Sequence, residues 1–460
     1  MDKPRMPMSA KRVLKSALFL AGLSLICLNF FSLIIKYAVD MPFWDEWNAS
    51  PYIIGNPPLS KILFAQHNEH RIGFGLLIMK MLASFSHWSQ IWEIRFVAFL
   101  ILSSTAALLL VKYKIDKKVS LLDLFIPLVM LNIFQWENLV WGFQIAFVLP
   151  LFFLTIWLLT ATNVKNSAAR NTILTMVSLL ASYSVIQGLL LPFITILLVL
   201  FEWLRNRKGD KAAFIAAAVN ALIIASYFIG YKFGMIQDAA LRSSINEGRL
   251  LIKVNVLVAY FLQSVRTGFL FNPKGFGASY ASGKFIGSLF LTLVTALLCL
   301  IGIFRFYNDK NAHNSFVGSV LVLFSLLFIS LITAGRTSYG VAPRYVTYTM
   351  LIPAGLFFIF SDLKYGRYLK IILFAVILIN TINYNKEIMK TVKDRIYPER
   401  AAVECYKKLG PSGECYKIFP LYPNQDRLNS LMPGVFKYKK INLGSAGSGI
   451  DRHPGLSNNQ

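Results

Sequence analysis

The chain is a series of apolar runs, most of them near the length that crosses a membrane, joined by short segments rich in lysine and arginine. A helix needs about 20 predominantly apolar residues to cross the hydrocarbon layer, within a range of roughly 17–25. Composition agrees: 56% of the 460 residues are hydrophobic and 15% are charged, where an ordinary soluble domain carries roughly 25% charged residues. That balance excludes a soluble globular enzyme and a disordered chain. It leaves an all-α polytopic membrane protein. The 47 Lys and Arg against 22 Asp and Glu give a formal net charge of +25. In a soluble chain this excess would point to nucleic acid. Here the basic residues sit between apolar runs, as in cytoplasmic loops that face an anionic leaflet. Membrane lipid is therefore the expected partner, and nucleic acid is not.

The first run, Ala17–Tyr37, follows Lys3, Arg5, Lys11, Arg12 and Lys15. It is long for a signal peptide and no A-x-A-like site follows it. It reads as an uncleaved helix with a cytoplasmic N-terminus. Ile72–Phe85 is apolar but short. If it crossed, Lys112, Lys114, Lys117 and Lys118 would lie outside, against the positive-inside rule. It is therefore read as lying on the outer surface. The remaining crossings are Ile91–Val111, Leu121–Phe134, Ile145–Ala161, Thr172–Ser184, Gly188–Trp203, Ala212–Tyr231, Phe285–Phe304, Phe316–Ala334, Val346–Phe360 and Ile371–Asn383. Val254–Phe271 is interrupted by Gln263, Arg266 and Gly268. It is also read as surface-lying, because a crossing there would turn Lys364, Arg367 and Lys370 outward. The expectation is about eleven transmembrane helices with the C-terminus outside. Residues 1–384 would form the membrane domain and 385–443 a small extracytoplasmic module. The Gly/Ser/Asn-rich tail 444–460 is expected to be disordered.

Cys27 and Cys299 lie inside apolar runs, and Cys405 and Cys415 lie in the C-terminal module. No C-x-x-C metal pattern is present. If the module is extracytoplasmic, Cys405 and Cys415 can form a disulfide. The bridge would stiffen a small domain with little core. The module would then be a lid over the outer face, or its segment Tyr416–Asp426 would help bind a glycan; the lid is the favoured expectation.

Three outward loops carry the reactive side chains. Phe43-Trp44-Asp45-Glu46-Trp47 sets two carboxylates between aromatics. In a partly apolar cleft such a pair supplies a general base; the alternative is an interfacial aromatic belt with solvated acids. Gln66-His67-Asn68-Glu69-His70-Arg71 carries two histidines around a glutamate. The spacing is not the helical H-E-x-x-H of zinc proteases. A hydrogen-bonding cluster is favoured over a metal site, and a need for a divalent metal is left open. The third load is Gln135-Trp136-Glu137-Asn138 with Trp141-Gly142-Phe143-Gln144, together with Gly335-Arg336, Tyr339-Gly340 and Arg344-Tyr345. Arginines at the mouth of a membrane cavity suit phosphate, because the planar fork gives bidentate contacts. Arg336, Arg344 and Arg71 are the candidates; headgroup anchoring is the alternative. Trp136, Trp141, Tyr339 and Tyr345 beside Gln144, Glu137 and Asn138 suit a sugar, with His67, Glu69 and His70 completing the substrate set. A sugar carried on a lipid phosphate fits this combination. Arginine would hold the phosphate as it leaves, and a carboxylate would take a proton from the acceptor hydroxyl.

With Asp45 and Glu46 in the first outer loop, a His-containing surface segment at 66–71 and Ile94-Arg95-Phe96 in the second helix, the chain resembles the multi-spanning GT-C glycosyltransferases that use polyprenyl-phosphate sugars. F-W-D-E-W, H-N-E-H-R, W-E-N-L-V-W-G-F-Q and G-R-x-S-Y-G-x-x-x-R-Y, with the length and C-terminal module, are similar to bacterial O-antigen-modifying glucosyltransferases of the serotype-conversion type. The resemblance implies a bacterial inner-membrane location. It implies an undecaprenyl-phosphate hexose donor, glucose first among hexoses, and a lipid-linked or nascent polysaccharide acceptor. It makes Asp45 the expected catalytic base, with Glu46 second. Where the family often shows a His-Pro-Pro-Leu-like segment, this chain has His67-Asn68-Glu69-His70. Two other readings compete: an O-antigen polymerase, and a non-enzymatic flippase or transporter of lipid-linked sugar. The second would place ionisable residues inside helices along a path.

Overall fold

The computed structural model describes residues 8–206, 210–233, 250–271, 283–335 and 341–441. The chain is nearly all helical. In order, the helices are α1 (Met8–Tyr37), α2 (Asp45–Ile53), α3 (Leu59–Leu63), α4 (Gly73–Ser86), α5 (Gln90–Asp116), α6 (Phe125–Met130), α7 (Trp136–Val140), α8 (Gln144–Asn163), α9 (Ser167–Ser182), α10 (Leu190–Asn206) and α11 (Lys211–Tyr227). They continue as α12 (Leu250–Gly268), α13 (Gly283–Asn308), α14 (His313–Gly335), α15 (Val346–Thr349), α16 (Leu351–Ser361), α17 (Gly366–Leu409), α18 (Gly413–Ile418) and α19 (Gln425–Tyr438). The described strands are β1 (Gln66–His67) and β2 (His70–Arg71), paired antiparallel.

Among the described residues, eight helical segments are long and apolar enough to cross a membrane. The chain is a multi-pass membrane protein. The α11 helix is apolar but shorter. Most of the apolar runs fold as expected. The run at Leu121–Phe134 does not form one helix. Ser120 Oγ caps its start, accepting the Leu122 N–H at 3.1 Å, and the helix ends at Met130. The break is at Asn132, whose Oδ1 accepts the Phe134 N–H at 3.0 Å and starts a new turn. Side chains that bond nearby backbone offer it an alternative to continuous helix.

The bundle has two polar ends. At one, the loops after α1, α4, α7, α9 and α11 meet; this is the site end. The other holds the turns at 117–120, 164–166, 309–312 and 362–365, where basic residues collect. Both ends of α4 lie at the site end. The Phe74 N–H donates to the Tyr183 carbonyl in the α9–α10 turn. Past the other end of α4, the Trp88 carbonyl accepts from Lys439 at 2.7 Å. The α4 helix therefore lies along that end and does not cross. The α12 helix is not among the segments that meet the crossing criterion. Its last turn is tied to the site-end half of α17, where Asn380 Nδ2 donates to the Phe269 carbonyl at 3.0 Å.

Packing inside the bundle is closest between α14 and α16. A Cβ at Gly355 would lie 2.5 Å from the Gly318 carbonyl oxygen, so only glycine permits this approach of backbones. The α17 helix runs 44 residues without a break, about 66 Å at 1.5 Å per residue. It crosses the bundle and continues past Tyr384, so the expected boundary at 384/385 is not an interruption of the chain. Beyond it, α18 and α19 fold back, and a disulfide joins Cys405 to Cys415. The expected disordered tail, 444–460, lies outside the described residues.

At the basic end a polar knot locks three helices. Lys112 is 1% exposed. Its Nζ lies 2.7 Å from Asp116 Oδ2 and donates to Asn314 Oδ1 at 2.9 Å and Ser361 Oγ at 2.8 Å. Asp362 Oδ2 accepts the Ser315 N–H at 2.7 Å. Removing Lys112 leaves the buried Asn314 Oδ1 without its donor, at about 1–3 kcal/mol, and takes the countercharge from the half-buried Asp116. Lys112→Ala is therefore expected to lower the thermal unfolding temperature sharply. Lys114→Ala, on the exposed face of the same turn, should change stability by no more than about 0.5 kcal/mol.

Candidate active site

The loop from α1 reaches α2 through Trp44, whose φ of 47° lies in the left-handed region. Strained non-glycine backbone persists only where surrounding contacts hold it. Here the Trp44 N–H donates to the Leu421 carbonyl at 2.8 Å. The next two residues, Asp45 and Glu46, open α2 and point in different directions. Glu46 is 1% exposed. Its Oε2 accepts the Phe43 N–H at 2.7 Å and its Oε1 the Phe143 N–H at 2.9 Å. Trp141 Nε1 also donates to the Phe43 carbonyl, at 3.2 Å. Glu46 therefore fastens the first loop to the 141–143 segment. The Glu93 carboxylate lies behind it, and a Cβ on Gly142 would collide with both carboxylates. Burial first, and then the charge of Glu93, push Glu46 well above the usual carboxylate range. Its expected role as alternative base is corrected: both oxygens are taken by backbone N–H groups in a closed site.

Asp45 turns the other way. Its Oδ1 lies 3.1 Å from His67 Nε2. His67 sits on β1 opposite His70 on β2, and its ring meets Phe143 edge-on at 5.4 Å. The hairpin is anchored by Arg71, which is 3% exposed. Arg71 Nε donates to the Tyr227 carbonyl at 2.6 Å and Nη1 to the Phe64 carbonyl at 2.7 Å; Nη2 bonds the Ile229 carbonyl. Arg71 as a phosphate ligand is therefore also corrected. Its fork is filled by backbone carbonyls that close the end of α11.

Arg344 faces the same space from the chain before α15. Its Nη1 bonds Glu137 Oε2 at 2.9 Å, and its carbonyl accepts from Asn138 Nδ2 at 3.0 Å. Asn138 also reaches Thr347 Oγ1 at 2.5 Å, and Thr347 donates on to Gln135 Oε1 at 2.6 Å. Asp45, His67, His70, Gln144, Arg344 and Tyr345 line one small cleft of about 60 Å³, walled by Trp141 and Phe143. Gln144 is 3% exposed and its Oε1 has no protein donor, the kind of buried acceptor that a ligand hydroxyl satisfies. Through His70, Phe147 and Tyr345 the cleft adjoins a larger, mostly apolar cavity of about 260 Å³ that runs past Gln187 to Phe328, Leu331 and Ile332 of α14. Glu69 lines that cavity rather than the cleft.

Trp136 departs from its expected role. It lines a separate cavity with Phe134, Tyr384 and Ile388, and Arg395 covers its ring at 5.4 Å. Glu137 and Asn138 act on Arg344 rather than lining the cleft. Arg336 and Tyr339 lie outside the described residues. Among the described residues no group of three or more His, Cys, Asp or Glu side chains is placed to hold a metal.

The C-terminal module braces the Asp45 loop from behind; none of its described residues lines the cleft. Tyr422 Oη donates to Asn48 Oδ1 at 2.9 Å, and Phe419 stacks on Phe43 at 5.9 Å. Arg395 covers the Phe43 ring at 4.3 Å. Lys439 Nζ bonds Asp40 Oδ1 at 3.0 Å and Gln90 Oε1 at 2.6 Å. Sequence reasoning missed Glu93, Arg395 and Lys439. Only Glu93 carried a signal, as an acid in the first turn of an apolar helix.

The raised Glu46 carboxyl has a measurable consequence. Folded Glu46 keeps its proton at pH values where the unfolded chain has released it. Its stabilisation is whole below the ordinary carboxyl value of 4.5 and is lost as pH rises through the window above it. Thermal unfolding temperature should therefore fall as pH rises above that value. Glu93→Gln removes the neighbouring charge and should flatten that slope. No family model, curated protein or solved structure matches this chain, so the geometry alone carries a functional reading.

Proposed function

We propose that the chain is an integral-membrane glycosyltransferase of GT-C type. It moves a hexose, glucose first among candidates, from undecaprenyl phosphate to a surface polysaccharide such as an O-antigen. On this reading it crosses the bacterial inner membrane about eleven times, with the basic end cytoplasmic and the site end periplasmic. The observation that carries the reading is the junction of two spaces. A cleft holding a carboxylate–imidazole pair and an arginine shares His70, Phe147 and Tyr345 as walls with a mostly apolar cavity. A sugar on a lipid phosphate has that same division.

The reaction follows from the positions. The acceptor hydroxyl oxygen attacks the anomeric carbon as the bond from that carbon to the phosphate oxygen breaks. Asp45 takes the hydroxyl proton, and His67 at 3.1 Å orients and supports the carboxylate. Polyprenyl phosphate leaves with the bonding electrons, and Arg344 meets the charge that develops on it. The Glu137 bond uses one Nη1 contact of a guanidinium that carries several donors. Attack opposite the leaving phosphate inverts the anomeric carbon. Gln144 and Trp141 suit the sugar hydroxyls and face.

The buried ionisable side chains Glu46, Arg71, Glu93, Lys112, Asp123 and Glu399 fall toward the two ends of the bundle. A flippase needs a polar path between them, so this distribution supports the enzyme.

Asp45→Asn is expected to reduce turnover of the purified protein by roughly 10²–10⁴ with the fold intact, the range for loss of a positioned base. The assay is release of polyprenyl phosphate from a polyprenyl-phosphate hexose in detergent. Unchanged turnover would remove Asp45 from the chemistry. Arg344→Lys should cost about 10²–10³ in kcat, since the ammonium loses the fork while keeping the charge. In cells, Asp45→Asn should strip one hexose from each polysaccharide repeat without shortening the chains; shortened chains of normal composition would identify a polymerase instead.

A further inference from the structure

A second cavity lies at the opposite end of the bundle, between α8, α10, α13 and α14. It measures about 380 Å³ and is almost wholly apolar, within the roughly 300–1,000 Å³ span of ligand pockets. Trp157, Leu198 and Leu204 line one side, and Phe306, Val320 and Leu323 the other. Its few polar groups are already satisfied. Trp157 Nε1 donates to Thr195 Oγ1 at 2.9 Å, and Ser319 Oγ to the Cys299 carbonyl at 3.3 Å. Such a space gives water no partners and is matched by hydrocarbon.

The rim is charged. Phe201 and Phe306 stack at 5.6 Å, and the Arg205 guanidinium lies 4.7 Å from the Phe306 ring. Arg205 Nη1 donates to the Phe306 carbonyl at 3.1 Å. Its Nε is buried without a partner, and so is Nε of Arg305, the residue preceding Phe306. A buried unpaired N–H of a charged group is costly, and an anion relieves it. The nearby acids are engaged elsewhere. Glu202 is held by Arg170 at 2.8 Å, and Asp309 Oδ1 caps the Asn311 N–H at 2.9 Å.

We infer that this cavity is a binding site for an anionic phospholipid, with an acyl chain between α10, α13 and α14 and the phosphate on Arg205. Basic pockets between membrane helices at the cytoplasmic side suit anionic headgroups. The site is separate from the Asp45 cleft, and the inference does not depend on the proposed reaction.

The test uses the full chain in nanodiscs of dioleoyl-phosphatidylcholine mixed equally with dioleoyl-phosphatidylglycerol. Native mass spectrometry after release reads the lipids retained. Phosphatidylglycerol should be retained in preference, and Arg205→Gln should weaken that preference about fivefold, the worth of one arginine near the surface. Val320→Phe fills the cavity and should reduce the lipid retained while leaving the protein folded. Equal retention of both lipids by the wild type overturns the inference. So does a preference that survives Arg205→Gln. Full retention in folded Val320→Phe overturns the cavity as the seat of the acyl chain. Should Val320→Phe fail to fold, Arg205→Gln decides alone.

Discussion

The site end depends on one buried carboxyl. Glu46 accepts two backbone N–H groups from segments nearly a hundred residues apart, Phe43 and Phe143. Without it the first loop and the 141–143 segment would each bury unpaired donors, at about 1–3 kcal/mol per group. The same contact fixes the direction of Asp45. Successive residues of a helix project about 100° apart, so once Glu46 is buried Asp45 must face away from it. The cleft then falls where His67 and Arg344 already point. Burial of Glu46 beside Glu93 is costly, and the C-terminal module helps to offset it by packing Phe419, Tyr422 and Lys439 around the loop.

The apolar runs made the architecture legible. The surface course of α4 was legible from charge alone, because Lys112 and Lys114 had to stay with the other basic turns. The break in the run at Leu121–Phe134 was hidden. Hydropathy does not register Asn132 bonding the backbone, and that cap starts a new turn inside the run. The course of α17 past Tyr384 was hidden for the opposite reason. Polar composition after Tyr384 reads as an ending, yet the helix continues because one face packs: Ile388, Val392, Ile396 and Val403 are all buried.

At the site, residue type was legible and partnership was not. Arg71 and Arg344 look alike in the sequence: each sits in a polar segment near aromatics. Three backbone carbonyls at the ends of α3 and α11 consume Arg71, while a single carboxylate engages Arg344 at the edge of the cleft. Trp136 and Trp141 divide in the same way. Trp136 opens α7 and Trp141 follows its end, and only Trp141 reaches the cleft. Most of these assignments depend on contacts between residues far apart in the chain, 156 positions for Arg71–Tyr227 and 207 for Arg344–Glu137, which no local spacing encodes.

The placement of Arg344 bears on what the cleft can do. An unpaired guanidinium in a low-dielectric site would bind any anion, product as well as substrate, and hold a leaving phosphate too tightly to release it. Glu137 at 2.9 Å moderates that attraction and fixes the orientation of the fork. Asn138 and Thr347 in turn hold the backbone that carries Arg344. On the opposite wall, Asp45 is restrained by His67 and by a loop clamped on three sides. On the proposed reading a base and an anion-binding group are thus held on rigid supports across one small space, and neither relies on the other for its position. Preorganisation of this kind lets electrostatic stabilisation act without reorganisation at the moment of reaction. It also explains why so much of the chain, from the 66–71 hairpin to the C-terminal helices, is spent on backbone contacts around a cleft lined by so few side chains.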